Sequence, residues 1–344
     1  MIEKSTVITE SDAKSGIGKY AWSLYNLGIF EDFCHLSYKG YSDFQNHIYF
    51  TKRWGINTLY SYYFGGPYKK YVKSYKYVHA SSPAHFHMIK YNKNISGTIH
   101  DFFPIKYSNE SFVKSWFMKN IKYVPYLQGV ITISNHIKKE AEERFKDVEF
   151  TTIHHWLDDK HYKPRDKFEV RDKLNLKQDK IYLLNVGRDV PRKNLDLLPK
   201  IMNKLDDRFI LILITNSERL LPYFNRKENV VILKMVPEEI FPLYYNASDM
   251  LIHTSIDGGF EYPYLEAMFS NLKIVTFDLP ISREILRDKA IFIPFMDKND
   301  PEDWIDAILK NYDKKPDYGD LINYYKPERA RKDYENFYKK IGWL

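Results

Sequence analysis

Arg188, Arg192 and Lys193 crowd into the segment Tyr182–Asn194, YLLNVGRDVPRKN, directly after an apolar run and Gly187. That order predicts a strand, a glycine turn and a helix opening near Asn194, whose free N–H groups and positive dipole end suit an anion. With three cations beside it, a diphosphate is the natural ligand. A second cluster, Thr254–Met268, TSIDGGFEYPYLEAM, also follows an apolar run and opens a helix. Gly258 and Gly259 let backbone amides approach a ligand closely. Glu266, one turn inside the helix, suits vicinal hydroxyls such as a ribose diol, because a buried glutamate is costly without a partner. Taken singly, each cluster also fits a blander reading, solvated loop cations in the first and a surface carboxylate in the second.

The elements that would position these clusters follow from hydrophobic pattern. Apolar runs at 181–186, 209–215, 230–236, 250–254, 273–277 and 290–294 alternate with stretches of helical spacing. Among the latter, Leu195, Leu198, Ile201, Met202 and Leu205 share one helical face, and Pro237 opens another helix running to Ser248. Strands alternating with helices predict a parallel sheet covered on both faces, with ligands at the carboxyl ends of its strands. The first half predicts strands at 6–9, 77–80, 96–100 and 130–134, a helix after the Gly16-Ile17-Gly18 turn, and a helix capped by Ser134 or Asn135. The fold expected is α/β with two Rossmann-like domains: residues 1–158, a polar linker at 159–180, residues 181–325, and a closing helix at 326–344.

Composition sets outer bounds. The 344 residues carry 44% hydrophobic and 28% charged side chains, which argues against extensive disorder and fits two domains. No apolar run approaches the roughly 18–20 residues of a membrane-spanning helix. No basic start followed by an apolar stretch marks the N-terminus, and Cys34 is the only cysteine. Disulfide frameworks and cysteine-based zinc clusters are excluded, and a cytoplasmic location is expected. His154, His155 and His161 lack companion carboxylate or cysteine ligands, so no metal is expected there. A net charge of +7 favours anionic partners without choosing among nucleotide phosphates, acidic membrane surfaces and nucleic acid. Two basic-aromatic stretches bear on that choice. The run Tyr68–Tyr77, YKKYVKSYKY, suits acceptor or membrane-surface contact or plain surface, and Phe112–Val124 reads as a helix with one apolar face.

At family level the chain resembles the retaining GT-B glycosyltransferases of family 4. The matching blocks keep the family's order: SGIGKYAWSLYNL at 15–27, TIHDFFPI at 98–105, GVITISNHIKKEAEERF at 129–145, VGRDVPRKNLDLL, GGFEYPYLEAM and SREIL at 282–286. The resemblance implies two domains facing a central cleft that closes on a nucleotide sugar, and transfer of a hexose with retention to a glycan, lipid or protein acceptor. It makes Gly16 and Gly18 a glycine loop beside donor and acceptor, and His100 a residue near the donor sugar. Arg188 and Lys193 become the diphosphate-binding pair and Glu266 the ribose-binding glutamate, with Gly258, Gly259, Phe260 and Glu261 in the donor loop. Asp101 is expected to shape its loop rather than react.

The family's first glutamate of a spaced pair falls here on Gly258, while Glu261 stands where the family prefers glycine. That departure leaves room for a nucleotide-sugar-binding protein without transfer activity, and the net charge for a nucleic-acid-binding one, although nucleic acid is not the expected partner. The chain contains no Asp-x-Asp triplet. Protein cations must then neutralise the leaving diphosphate, and neither cofactor nor metal is expected.

Overall fold

The computed structural model describes residues 1–13, 15–36, 44, 48–50, 66–107 and 111–344, with only the backbone of 48–50, 66–67 and 111–113. The chain forms two compact units, Met1–His155 together with Pro327–Leu344, and Trp156–Lys326. No helix among the described residues is long and apolar enough to cross a membrane.

The first unit holds a parallel sheet in the order β3-β2-β1-β4-β5-β6-β7. Its strands are β1 Ile2–Thr9, β2 Phe30–Leu36, β3 Ile48–Phe50, β4 Tyr77–Ala80, β5 Ile95–Ile99, β6 Gly129–Thr132 and β7 Phe150–Thr152. Strands β2, β3 and β7 are absent from the sequence expectation. Glu31 and Asp32 break the apolar pattern of β2, and the other two are three residues long. The expected glycine turn is instead the first turn of the helix Gly16–Asn26, capped by the Ser15 hydroxyl, which accepts from Gly18 N–H. Ser134 caps the helix Asn135–Arg144 as its side chain accepts from Ile137 N–H.

The tyrosines of the run at 68–77 do not form an outward stacking face. In the helix Gly66–Ser74, Tyr68 and Tyr71 are buried while Lys69, Lys70 and Lys73 face solvent. The Tyr71 hydroxyl bonds Thr6 Oγ1 at 2.9 Å. The helix expected at 112–124 spans Ser111–Ile121 with Phe117 and Ile121 buried, while Phe112 and Val113 lie outside the described side chains.

A polar network fastens the C-terminal helix Pro327–Lys340 to this sheet. The Tyr334 hydroxyl donates to Tyr20 Oη at 2.9 Å, Tyr20 Oη meets Thr98 Oγ1 at 2.6 Å, and Tyr338 Oη meets His79 Nδ1 at 2.9 Å. All are buried, so each hydroxyl lost would orphan a partner at a cost of about 1–3 kcal/mol.

The second unit has a parallel sheet in the order β10-β9-β8-β11-β12-β13. Its strands are β8 Ile181–Val186, β9 Phe209–Ile214, β10 Val230–Leu233, β11 Met250–His253, β12 Lys273–Phe277 and β13 Ile291–Ile293. Alternate residues feed two cores on opposite faces: Ile210, Ile212 and Ile214 join one, Phe209, Leu211 and Leu213 the other. Two-sided burial explains why these strands read as continuous apolar runs. Residues 159–180, expected as a linker, contain the helix Lys167–Lys173 and pack within this unit. Asp249 anchors them, accepting from Lys167 Nζ at 2.6 Å, Arg171 Nη2 at 2.7 Å and the Tyr182 N–H at 2.7 Å.

Candidate functional site

The cationic loop leaves β8 through Gly187 and forms a single 3-10 turn, Pro191–Lys193. Asn194 then adopts a left-handed conformation, φ 48°, and the helix begins only at Leu197. The expected helix start at Asn194 is therefore displaced. Its amides do not form a helix N-terminus there, and the anion-binding capacity rests on side chains. Arg188 is exposed, its carbonyl accepts from Val190 N–H at 2.9 Å, and among the described residues its side chain makes no ion pair or hydrogen bond. Arg219, which sequence reasoning missed, grips Asp189 with two bonds of 2.9 Å and Asp196 at 2.8 and 3.1 Å, bracing both ends of the loop.

Lys193 is differently placed. Its Nζ donates to Glu261 Oε2 at 2.5 Å, and Arg192 Nη1 lies 3.6 Å from the other oxygen. Glu261 is 3% exposed, and Ser255 Oγ donates to its Oε1 at 3.2 Å. The loop after β11 closes over the cationic loop, with Ile256 N–H donating to Arg192 O at 2.8 Å and Thr254 Oγ1 to Lys193 O at 2.8 Å. Burial pushes the Glu261 carboxyl up, but Lys193, His253 and Arg192 outweigh it and hold the group well below the usual carboxylate range. His253 Nε2 approaches Glu261 Oε2 at 3.3 Å, outside good hydrogen-bond alignment.

Gly258 explains how Glu261 reaches this place. A Cβ at 258 would lie 2.3 Å from Glu261 Oε1 and 3.2 Å from its Cδ. The carboxylate thus fills the space that any side chain at 258 would enter. Gly259 is buried beside it, and Phe260 packs its ring edge-on to Tyr262 and Tyr325 at 6.1 and 6.2 Å.

Glu266 is buried in the helix Tyr262–Phe269, where it accepts from Tyr245 Oη at 2.5 Å and Tyr162 Oη at 3.1 Å. Tyr162 comes from the stretch expected to be linker. Sequence reading supplied no signal for either tyrosine, because pairing over 104 and 21 residues leaves no local pattern.

In the first unit, His100 follows β5 and is buried. Its Nε2–H donates to Ser81 O at 2.8 Å, and its ring stands edge-on to Tyr20 at 4.7 Å and stacks on His155 at 5.5 Å. Burial lowers its pKa to about 4, only partly offset by Ser81 O and Glu10. The imidazole is neutral at neutral pH, with Nδ1 as an acceptor. Asp101 Oδ1 accepts from Phe103 N–H at 3.0 Å, shaping the loop. The two glycines differ: a Cβ at Gly18 would collide with Asp12 O at 1.9 Å, whereas Gly16 has open space around it. Gly18 is thus required for packing. No group of three or more His, Cys, Asp or Glu side chains among the described residues is placed to hold a metal ion.

Acid should destabilise the first unit well above the carboxylate range. Burial lowers the pKa of His79 to about 3 and of His100 to about 4, and pushes His155 well down. An unfolded histidine takes its proton near pH 6.5, so stability is complete above that pH and drains as pH falls toward 4. Each histidine contributes a slope of about 1.4 kcal/mol per pH unit in that window. Thermal unfolding between pH 7 and 4.5 measures this, and a melting temperature flat from pH 7 to 5 would refute it.

With this geometry established, comparison with known proteins places the second unit. Residues 166–326 match the family of glycosyl transferases, group 1. The chain is a glycosyltransferase. Over 268 residues the chain is 26% identical to the O-antigen chain mannosyltransferase RfbU of Salmonella typhimurium, covering 75% of this chain and 71% of that one. Across 98% of its length the glycosyltransferase resembles Anabaena HepE in complex with UDP-glucose, with a TM-score of 0.77, 13% identity and 99% of that structure covered. Sucrose-phosphate synthase from Thermosynechococcus elongatus gives a TM-score of 0.71 at 16% identity, over 98% of this chain and 96% of that one. The architecture is the GT-B fold, two Rossmann-like α/β units.

Proposed function

We propose that this chain is a retaining hexosyltransferase that takes its sugar from a nucleoside diphosphate donor, with the diphosphate at the Arg188–Lys193 loop and no metal ion. The carrying observation is the site where β8 and β11 end: an Arg188 side chain without a partner among the described residues, beside a largely buried Lys193, on a loop braced by Arg219. These cations suit the charge that develops on a departing diphosphate, and being preorganised they need no rearrangement during transfer. The leaving phosphate assists deprotonation of the acceptor hydroxyl on the same face. His100 contributes its Nδ1 lone pair to a donor hydroxyl, since Nε2–H is committed to Ser81. Glu266 is the carboxylate for the ribose hydroxyls. Gly16, with open space, admits a ligand at the start of its helix, and Gly259 and Phe260 shape the donor loop. The mannosyltransferase name of the Salmonella relative and the UDP-glucose in the Anabaena complex support a nucleotide-activated hexose as donor.

Thermal stabilisation by a panel of nucleotide sugars tests donor binding, because a ligand of the folded state alone raises its stability. Release of nucleoside diphosphate then tests turnover. Transfer should persist in excess EDTA, as protein cations carry the charge. Complete loss, restored only by a divalent ion, would overturn the metal-free reading.

A further inference from the structure

Each sheet reverses its strand order at one place, and open α/β sheets take ligands outside the carboxyl ends of the two strands that flank the reversal. In the second unit those strands are β8 and β11, which lead into the cationic loop and the Gly258–Glu261 loop. In the first unit they are β1 and β4, followed at once by Glu10 and by Ser81-Ser82. A carboxylate therefore stands where the second unit has its cations.

Glu10 is held from behind. Ser82 Oγ donates to its Oε1 at 2.8 Å, and His85 Nε2 meets Oε2 at 2.8 Å. An ionised carboxylate only accepts, so His85 is the donor there, and its Nδ1 meets the Tyr68 hydroxyl at 3.3 Å. The His85 side chain is fully buried whereas that of Glu10 is 17% exposed, which sets the carboxylate at the mouth of the arrangement. Burial pushes the Glu10 carboxyl up, but His85 and Ser82 more than offset it and keep the group below its ordinary value. His100 bonds Ser81 O next to this cluster. With one side-chain donor on each oxygen and the Glu10 N–H as a third, about one of four acceptor sites remains. Packing alone is a poor reason for a largely buried carboxylate, which carries a desolvation cost that an apolar residue would not.

We propose that Glu10 binds a hydroxyl group of a neutral sugar at the first unit, as the acceptor-side contact of the transfer proposed above, on which this assignment rests. An ionised carboxylate accepts from a sugar hydroxyl and repels a phosphate or carboxylate on the ligand, so the class selected is an uncharged glycan end.

Saturation-transfer NMR on the full chain with methyl α-D-mannopyranoside, methyl α-D-glucopyranoside and mannose 6-phosphate tests this. The wild type should bind at least one neutral glycoside, and more tightly than mannose 6-phosphate. Glu10→Gln should weaken that binding by about tenfold or more, because charge-assisted bonds are roughly twice as strong as neutral ones. Should the glutamine variant not fold, Glu10→Asp keeps the charge, displaces it, and should still weaken binding. No binding of either neutral glycoside to the wild type, equal binding by the folded variants, or tighter binding of mannose 6-phosphate would overturn the assignment. Calorimetry with UDP and GDP on the same samples separates the two failures: nucleotide binding without glycoside binding removes Glu10 alone, and absence of nucleotide binding from the wild type removes the donor reading beneath it.

Discussion

Lys193→Ala is expected to lower affinity for a nucleoside diphosphate by about 100-fold or more and to destabilise the second unit in the same step. The two effects have different origins. Affinity falls because a charge-assisted contact to the diphosphate disappears from a largely buried position, where such bonds are strongest. Stability falls because Glu261, 3% exposed and ionised, loses its partner at 2.5 Å. Removing one member of a buried pair costs about 3–5 kcal/mol, and here Arg192 at 3.6 Å offsets part of it. Lys193→Met combined with Glu261→Gln should recover most of the stability and none of the diphosphate affinity. Arg188→Ala provides the contrast: removing an exposed cation whose side chain has no partner among the described residues should cost about tenfold in affinity and leave the melting temperature unchanged. Calorimetric titration with UDP and GDP, paired with thermal unfolding, reads both quantities. A folded Lys193→Ala chain that binds diphosphate like the wild type would remove Lys193 from the site.

Much of the second unit was legible because its strands are buried on both faces and its punctuation is local. Gly187 and Gly258-Gly259 mark the ends of β8 and β11, so the two loops that meet across them could be named from spacing alone. Two features worked against the same reading elsewhere. The helix placed at Asn194 begins at Leu197 because Asn194 itself adopts a left-handed turn, which sequence pattern does not distinguish from a helix start. Residues 159–180 read as linker because their anchors are polar and distant: Arg171 and Lys167 find Asp249, and Tyr162 finds Glu266. In the first unit the obstacle is similar. Tyr20, His79, Thr98, Tyr334 and Tyr338 build a hydrogen-bonded network within the core, and polar residues on strands blur the apolar pattern that would reveal them. Glu10 has no sequence signature at all, since what distinguishes it is the order of strands in the sheet.

Glu261→Gln should lower transfer by about tenfold or more, equivalent to about 1.4 kcal/mol, without weakening affinity for the free nucleoside diphosphate. Against the family resemblance the sequence has glycine in place of a glutamate at 258 and a glutamate in place of glycine at 261, and the geometry links the two positions. Glu261 Oε1 lies 2.3 Å from where a Cβ at 258 would stand, so the carboxylate reaches the vacant space only because residue 258 has no side chain. In that position it takes Lys193 and Arg192, the cations proposed to meet the diphosphate. Neutralising it leaves both cations to the ligand, so diphosphate affinity should hold or tighten, while contact with the donor sugar's hydroxyls is lost. Gly258→Ala should also impair transfer, because the added methyl must displace a buried, ion-paired carboxylate rather than a free side-chain end. The exchange Gly258→Glu with Glu261→Gly moves the carboxylate to the other end of the same short loop, and it should restore transfer to within about tenfold of the wild type. Steady-state kinetics on the three variants, with UDP and GDP calorimetry on each, decide the assignment. Wild-type rates in the folded glutamine variant would show that the carboxylate serves the stability of the loop and not the sugar.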